Sequence, residues 1–285
     1  MNSDEIEINN LIEYINYIFT LKNSENCELW YRGHRNSEWK LRPTLFREAV
    51  KKQYNDGMVH PIEYINYIDF IPEIENFRDK IKGKIGKTKL NLFHYTFIGQ
   101  HYGLKTPILD WSTDPLVALF FALYEFNIAE DTFPLVYVLR PSILNKNSAI
   151  VYTEGDEEIE EPFNIDNIND EQFKEWFKNL NNTPFSKIPF AVKSEIDLRS
   201  HRISRQSGVF TLHEARFDRS VNWISNVDND GTKIGFAIKI NPNSVGLIIN
   251  QLEALNITYE TIYGKEVTEI QAYATDVLKK SERIL

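Results

Sequence analysis

An arginine between a tyrosine and a glycine is the first feature of the chain that could carry chemistry. It lies in the segment Trp30-Tyr31-Arg32-Gly33-His34-Arg35. A short strand is predicted to end here, so rigid backbone would hold the guanidinium, and Gly33 would leave room for something to approach. A guanidinium can bind a phosphate or a carboxylate through two parallel hydrogen bonds. The alternative is an arginine paired with an internal carboxylate at a strand end.

A second segment, residues 100–115, collects polar and aromatic side chains between two predicted helices. The candidates in it are His101, Tyr102, Asp110, Trp111, Ser112 and Thr113. Asp110 follows an apolar pair and is expected to be partly buried, so it must have a partner. In the alternative interpretation, Asp110 and Ser112 only organise the turn into the following helix, and Trp111 belongs to the core rather than to a stacking surface.

A third segment places two arginines and a glutamine ahead of a predicted strand. Its sequence is Arg202-Ile203-Ser204-Arg205-Gln206-Ser207-Gly208-Val209-Phe210. Arg205 and Gln206 are candidates for binding a ligand together with the first two segments. The alternative is that they are ordinary polar residues at the entry to a strand.

Composition limits the classes of protein to which the chain can belong. Its 285 residues are 42% hydrophobic and 13% aromatic, which is enough for a substantial core in one large domain or two closely packed ones. The net charge of -9 weighs against an extended nucleic-acid-binding surface but leaves room for a local basic cleft. The single cysteine, Cys27, excludes an internal disulfide and a cysteine-cluster metal site. The scattered histidines show no zinc-ligand spacing, so no metal is expected.

The expected location is the cytoplasm, without a membrane partner. The acidic N-terminus shows no secretory or transit signal. The densest apolar run, Leu116 to Tyr124, is too short to span a bilayer.

Apolar periodicity and capping residues predict the elements that position the three segments. Helices are expected at about 3–22 with Ser3 as N-cap, from Thr44 to about 54, at 62–82, at 88–100, from the start signal Thr113-Asp114-Pro115 to Tyr124, at 242–254 and at 266–281. Strands are expected at 27–32, 135–139, 208–213, 233–240 and 257–262. Residues 154–184 are acidic and rich in Asn, and they are interpreted as a solvated insertion with one helix near 171–180. Helices in the first half and antiparallel-looking strands in the second indicate the α+β class, with a mixed, largely antiparallel sheet.

Together the segments resemble the FRG domain family, which takes its name from a Phe-Arg-Gly motif. Tyr31-Arg32-Gly33 stands in that place, with tyrosine for phenylalanine. The run from Leu41 to Arg47 is similar to a second family element. His101-Tyr102-Gly103, continued by Leu109-Asp110-Trp111, is similar to the most specific one, and Gln206-x-Gly208-x-Phe210 to a third block. The resemblance extends over about residues 26–275 and implies a single FRG-type domain across 1–285, with 154–184 inserted in it.

A weaker resemblance connects the chain with mono-ADP-ribosyltransferases. Their site also begins with a strand ending in Tyr-Arg-Gly and continues with a hydroxyl-containing strand that leads into an Ala-x-x-Phe-Ala helix, here Ala118 to Ala122. The resemblance implies that NAD is a substrate and that the fold is ADP-ribosyltransferase-like. Arg32 would hold the pyrophosphate, Tyr102 or Trp111 would stack on nicotinamide, and Ser112 would fix the adjoining ribose.

A transferase of this kind also needs a late glutamate on a strand, and no sharp motif identifies it. Glu260, on the predicted strand 257–262, is the first choice, and Glu214 and Asp110 are the alternatives. The predicted catalytic set is therefore Arg32, Asp110 and Glu260. The predicted binding residues are Tyr31, Gly33, His101, Tyr102, Trp111, Ser112, Thr113, Arg205 and Gln206.

The leading hypothesis is an enzyme that uses a nicotinamide nucleotide, NAD, to modify nucleic acid or protein. Such an enzyme could serve as a toxin or phage-defence effector under the control of an antitoxin or other regulatory partner. The first alternative is a non-catalytic module that recognises a nucleotide or phosphorylated ligand. The second is a hydrolase such as a nuclease, which would need a carboxylate cluster for metal. Within a motif, only Asp110 and Asp114 are near each other.

Overall fold

The computed structural model describes residues 6–25, 27–47, 67–84, 89–129, 131–148, 161–180, 189–195, 206–213, 223–227, 231–264, 272 and 274–275. Eight strands within these ranges form one sheet. They are β1 Glu7–Ile8, β2 Trp30–His34, β3 Ile108–Ser112, β4 Leu135–Leu139, β5 Phe163–Asn164, β6 Phe190–Lys193, β7 Gly208–Leu212 and β8 Gly235–Ile240. Their order is β1-β8-β4-β2-β3-β7-β6-β5. Only β1–β8 and β5–β6 pair in parallel, which confirms the α+β class with a largely antiparallel mixed sheet.

Helices pack against this sheet and connect its strands. They are α1 Leu11–Ser24, α2 Tyr67–Ile81, α3 Leu92–His101, α4 Pro115–Leu123, α5 Pro141–Asn147, α6 Asp170–Leu180, α7 Val245–Ala254 and α8 Tyr259–Tyr263. Short 3-10 turns occupy Thr44–Phe46, Trp223–Ser225 and Pro242–Ser244. Among the helices of the described ranges, none has both the length and the apolar composition that crossing a bilayer requires.

The helix α4 begins where its sequence predicts. The side chain of Asp114 accepts hydrogen bonds from the backbone N–H groups of Leu116 and Val117, and Pro115 takes the first helical position. All but three of its residues are buried, as expected for a helix that is apolar on every side. It lies on the same sheet face as Tyr31, since both belong to one apolar cluster with the β4 residues Val136 and Val138.

Alternation along β2 sends neighbouring side chains to opposite faces of the sheet. Tyr31 belongs to the cluster around α4, whereas Trp30 belongs to a cluster with Trp111 and Trp223. A further cluster joins α2, α3 and α6 to the β6 and β7 end of the sheet. The core is thus distributed over both faces of the sheet. Arg32 is two residues after Trp30 in β2, so its side chain leaves the strand on the face that carries the tryptophans.

Two element predictions are wrong, and two lie mostly outside the described residues. The first helix begins at Leu11 with Asn10 as its cap, not at residue 3 with Ser3, because Glu7 and Ile8 pair in parallel with Lys239 and Ile240 of β8. Residues 257–262 do not form a strand. Thr258 caps α8 in a reciprocal pair with Thr261, so the chain turns into a helix there. Of the helix expected from Thr44, only a 3-10 turn is described, and most of 266–281 lies outside the described residues.

The described part of residues 154–184 is not a solvated excursion. Ile165 and Phe173 are fully buried. Asp170 accepts a hydrogen bond from the backbone N–H of Leu92 at 2.9 Å and pairs with Arg78 at 2.8 Å. The predicted helix is present as α6, and it contributes to the same cluster as α3. That this region is an insertion relative to related proteins stays a prediction.

Candidate functional site

The sheet has a seam between its two central strands. β2 pairs with β4 along its whole length, from Trp30 to His34. Its pairing with β3 is limited to Tyr31 and Ser112, whereas β3 pairs along its length with β7. Past Tyr31 and Ser112, side chains rather than backbone hydrogen bonds connect the two halves of the sheet.

The side chain of Arg32 crosses this seam. One terminal nitrogen, Nη1, lies 2.9 Å from Asp110 Oδ1 and also donates to the backbone carbonyl of Asp110. Its Nε donates to Nε2 of His34 at 3.0 Å. The other terminal nitrogen, Nη2, has no acceptor among the described residues. The structure therefore realises the pairing of Arg32 with an internal carboxylate, and that carboxylate belongs to the second predicted segment.

Asp110 is the solvent-accessible member of this ion pair. Its side chain is 46% exposed, against 13% for Arg32. Its Oδ1 also accepts a hydrogen bond from Nε2 of Gln100 at 2.8 Å, while no other residue within the described ranges donates a hydrogen bond to Oδ2. Burial alone would raise the pKa of Asp110, but the charges of Arg32 and His101 outweigh it and hold that pKa well below its ordinary value. The carboxylate is thus ionised and has one oxygen available.

Two buried histidines that feel the charge of Arg32 are neutral. Burial and the charge of Arg32 lower the pKa of His34 to about 3 and that of His213 to about 3. A neutral His34 can accept the hydrogen bond from Arg32 Nε, which fixes the proton of its ring on Nδ1. The guanidinium is therefore held from two sides, by a ring nitrogen and by Asp110.

A cleft of about 290 Å³ opens at the seam, at the lower end of the range for small-molecule sites. Its lining brings the predicted segments together. Of the predicted site residues, those that line it are Tyr31, Arg32, Gly33, His101, Asp110, Trp111, Ser112 and Gln206. Arg205 and Glu214 lie outside the described residues.

Gln206 brings a buried amide to the cleft. The residue is 6% exposed, and its Nε2 has no hydrogen-bond partner within the described ranges. The hydroxyl of Tyr31 is likewise buried and unpaired among the described residues. A buried donor without an acceptor costs free energy, so each of these groups gains if a ligand supplies the missing partner.

The hydroxyl of Ser112 instead links the end of β3 to the backbone groups of Gln206 and Asp114. It donates to the carbonyl of Gln206 at 2.7 Å and accepts from the N–H of Asp114 at 3.0 Å. The N–H of Thr113 donates to the carbonyl of Ser207 at 3.0 Å. Ser112 thus organises the turn into α4, as the alternative interpretation has it, and Thr113 does not line the cleft.

Gly33 is required by the helix rather than by a ligand. A Cβ atom added there would lie 2.0 Å from the carbonyl oxygen of Ala118 and 2.4 Å from the backbone nitrogen of Ala122. The room that the sequence assigns to an approaching ligand is therefore occupied by the backbone of α4. The alanines of the Ala-x-x-x-Ala spacing allow this close contact.

Three predicted residues do not present their side chains as expected. Trp111 borders the cleft, but its ring is buried beside Trp223 and its Nε1 donates to Thr211 Oγ1, so it belongs to the core. Tyr102 ends α3 and packs against the core cluster there without lining the cleft. Glu260 lies exposed on α8, not on a strand, and does not line the cleft.

The aromatic rim of the cleft was not predicted from the sequence. Phe121 comes from α4, Tyr124 directly follows that helix, Tyr263 comes from α8, and Trp39 comes from the loop after β2. Trp39 is 46% exposed. Nothing in the local sequence distinguishes these rings from core residues, since the wall appears only when α4 and α8 meet.

A serine, a histidine and an aspartate also meet at the N-terminal end of α3. Ser194 Oγ lies 3.2 Å from His94 Nε2, and both contact Asp166 Oδ1. However, His94 Nδ1 accepts a hydrogen bond from the backbone N–H of Asn91, so Nε2 carries the ring proton and cannot take one from the serine. The grouping is structural. Within the described ranges, no three His, Cys, Asp or Glu side chains are arranged to hold a metal ion.

Comparison with known proteins gives one match. Residues 27–130 match the family model of the FRG domain, which confirms the resemblance carried by the first two segments. The block at Gln206 falls outside the matched residues. No curated protein and no solved structure matches the chain.

Proposed function

Starting from a chain that contains an FRG domain over residues 27–130, we propose that the cleft binds a nicotinamide nucleotide and breaks its nicotinamide–ribose bond, as an ADP-ribosyltransferase-like enzyme does. The observation that supports the proposal best is the ionised carboxylate of Asp110. It stands in a cleft, is fixed by two donors, and has a second oxygen to which no other described residue donates.

The chemistry needs a fixed negative charge of this kind. When the bond between ribose C1′ and the pyridinium nitrogen breaks, both electrons go to the ring nitrogen, and nicotinamide leaves neutral without needing a proton. The ribose becomes an oxocarbenium-like cation, which a preorganised carboxylate stabilises. The acceptor then adds to C1′ through its O–H or N–H group and loses its proton. Because the pKa of Asp110 is lowered, this carboxylate is a weak base, and the proton passes to solvent.

The neighbouring groups have separate parts in this proposal. Arg32 is a positioning residue, since its Nη1 and Nε are used by Asp110 and His34. Only its Nη2 is left for a phosphate, in place of the full bidentate grip that the sequence implied. The unpaired amide of Gln206 is suited to an acceptor on the ligand, such as a carboxamide oxygen. The rings of Phe121 and Tyr263 provide an apolar wall for the nucleotide.

Release of nicotinamide from NAD tests the proposal. Purified protein is incubated with NAD and with protein or nucleic-acid fractions as acceptor, and nicotinamide is measured by chromatography. Asp110→Asn keeps the oxygen that binds Gln100 but removes the charge, and we expect release to fall by a factor of about 100 to 1,000. Glu253→Gln, which neutralises an exposed carboxylate on α7, serves as the matched control. No release by the wild type with any acceptor would end the proposal.

A non-catalytic recognition module is the second candidate, and the Arg32–Asp110 ion pair favours it, because a satisfied pair can simply stabilise a binding site. In that case ADP-ribose would raise the melting temperature of the protein, while NAD would be bound and recovered intact. Nicotinamide release lost in Asp110→Asn would exclude this candidate.

A further inference from the structure

Three tyrosine rings reach from the cleft to the protein surface. Tyr124 and Tyr263 line the cleft. The ring of Tyr259 stacks on that of Tyr263 with centroids 4.3 Å apart and planes inclined by 15°. It also lies 5.5 Å from the ring of Tyr124. We call these three residues the tyrosine cluster.

The outermost ring of this cluster is not explained by the core. Tyr259 is 40% exposed, whereas the short helix α8 that carries it is anchored by Ile262, which is 3% exposed. One turn separates Tyr259 from Tyr263, so the helix holds both rings parallel. The result is a rigid aromatic surface that continues the cleft wall into solvent.

We propose that the tyrosine cluster binds a nucleobase at the mouth of the cleft. This inference rests on the proposed function in that it takes the ligand of the cleft to be a nucleotide. Nucleobases stack on aromatic side chains because both present flat π faces, and rings that helix α8 already holds parallel lose little freedom on binding. The base can come from the adenine half of the dinucleotide or from a single-stranded nucleic-acid acceptor.

The charges around the cluster indicate that stacking supplies most of the affinity. Arg35, over the ring of Trp39 at 5.1 Å, is already paired with Glu125 at 2.6 Å, and Glu125 directly follows Tyr124. A phosphate would have to compete with that carboxylate. Together with the net charge of -9, this predicts that binding depends only weakly on salt concentration.

Two probes test the inference and separate the two sources of the base. ADP is titrated by calorimetry, and a fluorescently labelled single-stranded oligoadenylate by anisotropy. We expect Tyr259→Ala to weaken binding of one probe by about 5- to 150-fold, and Tyr259→Phe, which keeps the ring, to stay within about twofold of the wild type. Phe19→Ala removes another exposed ring, on α1 and outside the cleft lining, and should change nothing. Loss for ADP assigns the base to the dinucleotide, and loss for the oligonucleotide assigns it to the acceptor.

The inference and the proposed function can fail separately. If the wild type binds neither probe, or if Tyr259→Ala binds both as the wild type does, the base site is refuted whatever happens to NAD. If Tyr259→Ala loses binding while the wild type releases no nicotinamide, the base site stands and only the reaction is refuted.

Discussion

Replacing Gly33 by alanine tests whether α4 rests directly on β2. The added Cβ would stand 2.0 Å from the carbonyl oxygen of Ala118 and 2.4 Å from the nitrogen of Ala122. Ordinary contacts between such atoms are about 3.5 Å, so the overlap exceeds roughly 1 Å at both. Both atoms belong to helix backbone, so no rotamer change can relieve the contact and the helix must move.

Overpacking a core by a methyl group usually costs about 1–3 kcal/mol, and a contact with backbone on both sides belongs at or above the upper end. We expect Gly33→Ala to lower the free energy of unfolding by about 3 kcal/mol or more, which corresponds to a fall in melting temperature of roughly 6–12 °C. Gly246→Ala is the matched control. A Cβ there meets nothing within 4 Å, and alanine is favoured over glycine inside α7 by up to about 1 kcal/mol.

Thermal and urea unfolding followed by circular dichroism measure both variants against the wild type. The control should be as stable as the wild type or slightly more stable. Should Gly33→Ala unfold at the wild-type temperature, α4 does not lie against β2, and the glycine of the Tyr-Arg-Gly motif would again be available to a ligand. The close contact with the α4 backbone is the structural reason for a glycine at this position, and that result would remove it. It would also change the description of the cleft wall, since α4 forms part of that wall.

Three further outcomes follow from the site. His34 and His213 stay neutral in the folded protein, with pKa values of about 3, whereas in the unfolded chain each gains a proton near pH 6.5. Their contribution to the free energy of unfolding is therefore complete above that pH and falls as the pH drops toward 3. At pH 5, His213→Gln should recover about 2 kcal/mol of the free energy of unfolding that the wild type loses to acid, as measured by urea titration. Arg32→Ala leaves the half-exposed carboxylate of Asp110 without its cation, so the pKa of Asp110 should rise in carboxyl NMR titrations. The free energy of unfolding should fall by about 1–3 kcal/mol, and the fall caused by Arg32→Ala should be smaller in a protein that already carries Asp110→Asn. Glu260→Gln should leave nicotinamide release unchanged, and a loss of release would return the catalytic role to that residue.

Local signals predict the elements that depend on neighbours in the chain. Asp114 and Pro115 start α4 because a cap and a preset φ angle act within one turn, and the apolar run Leu135–Leu139 forms β4 with the predicted bounds. The strand Glu7–Ile8 could not be predicted from the local sequence, because its pairing partner in β8 is more than two hundred residues away. Apolar and polar residues alternate only weakly over 257–262, and the capping side chain of Thr258 favours a helix instead of a strand there.

The residues of the site likewise divide into those that the local sequence identifies and those that only the fold brings together. Arg32 and Asp110 were identified by residue type and position, and the structure brings them to one cleft. The partner that the sequence required for Asp110 proved to be Arg32 itself, which no spacing could show. Gln100, the second donor to Asp110, was not singled out, although it stands next to His101 in the second segment. The rings of Tyr124 and Tyr263 face the cleft only because distant helices pack together, so nothing in the sequence marked them.

The order of strands in the sheet also says when the cleft can exist during synthesis. Of the eight strands, only β2 and β3 lie within residues 27–130, and they share a single pairing. The strands that hold them in place, β4 and β7, are made later, and among the described residues the last one in the cleft lining is Tyr263. A nascent chain that has emerged only as far as residue 130 therefore has both motif strands but neither of their supports. The pocket can assemble only after the ribosome has passed Tyr263, so any activity that depends on it is withheld until then.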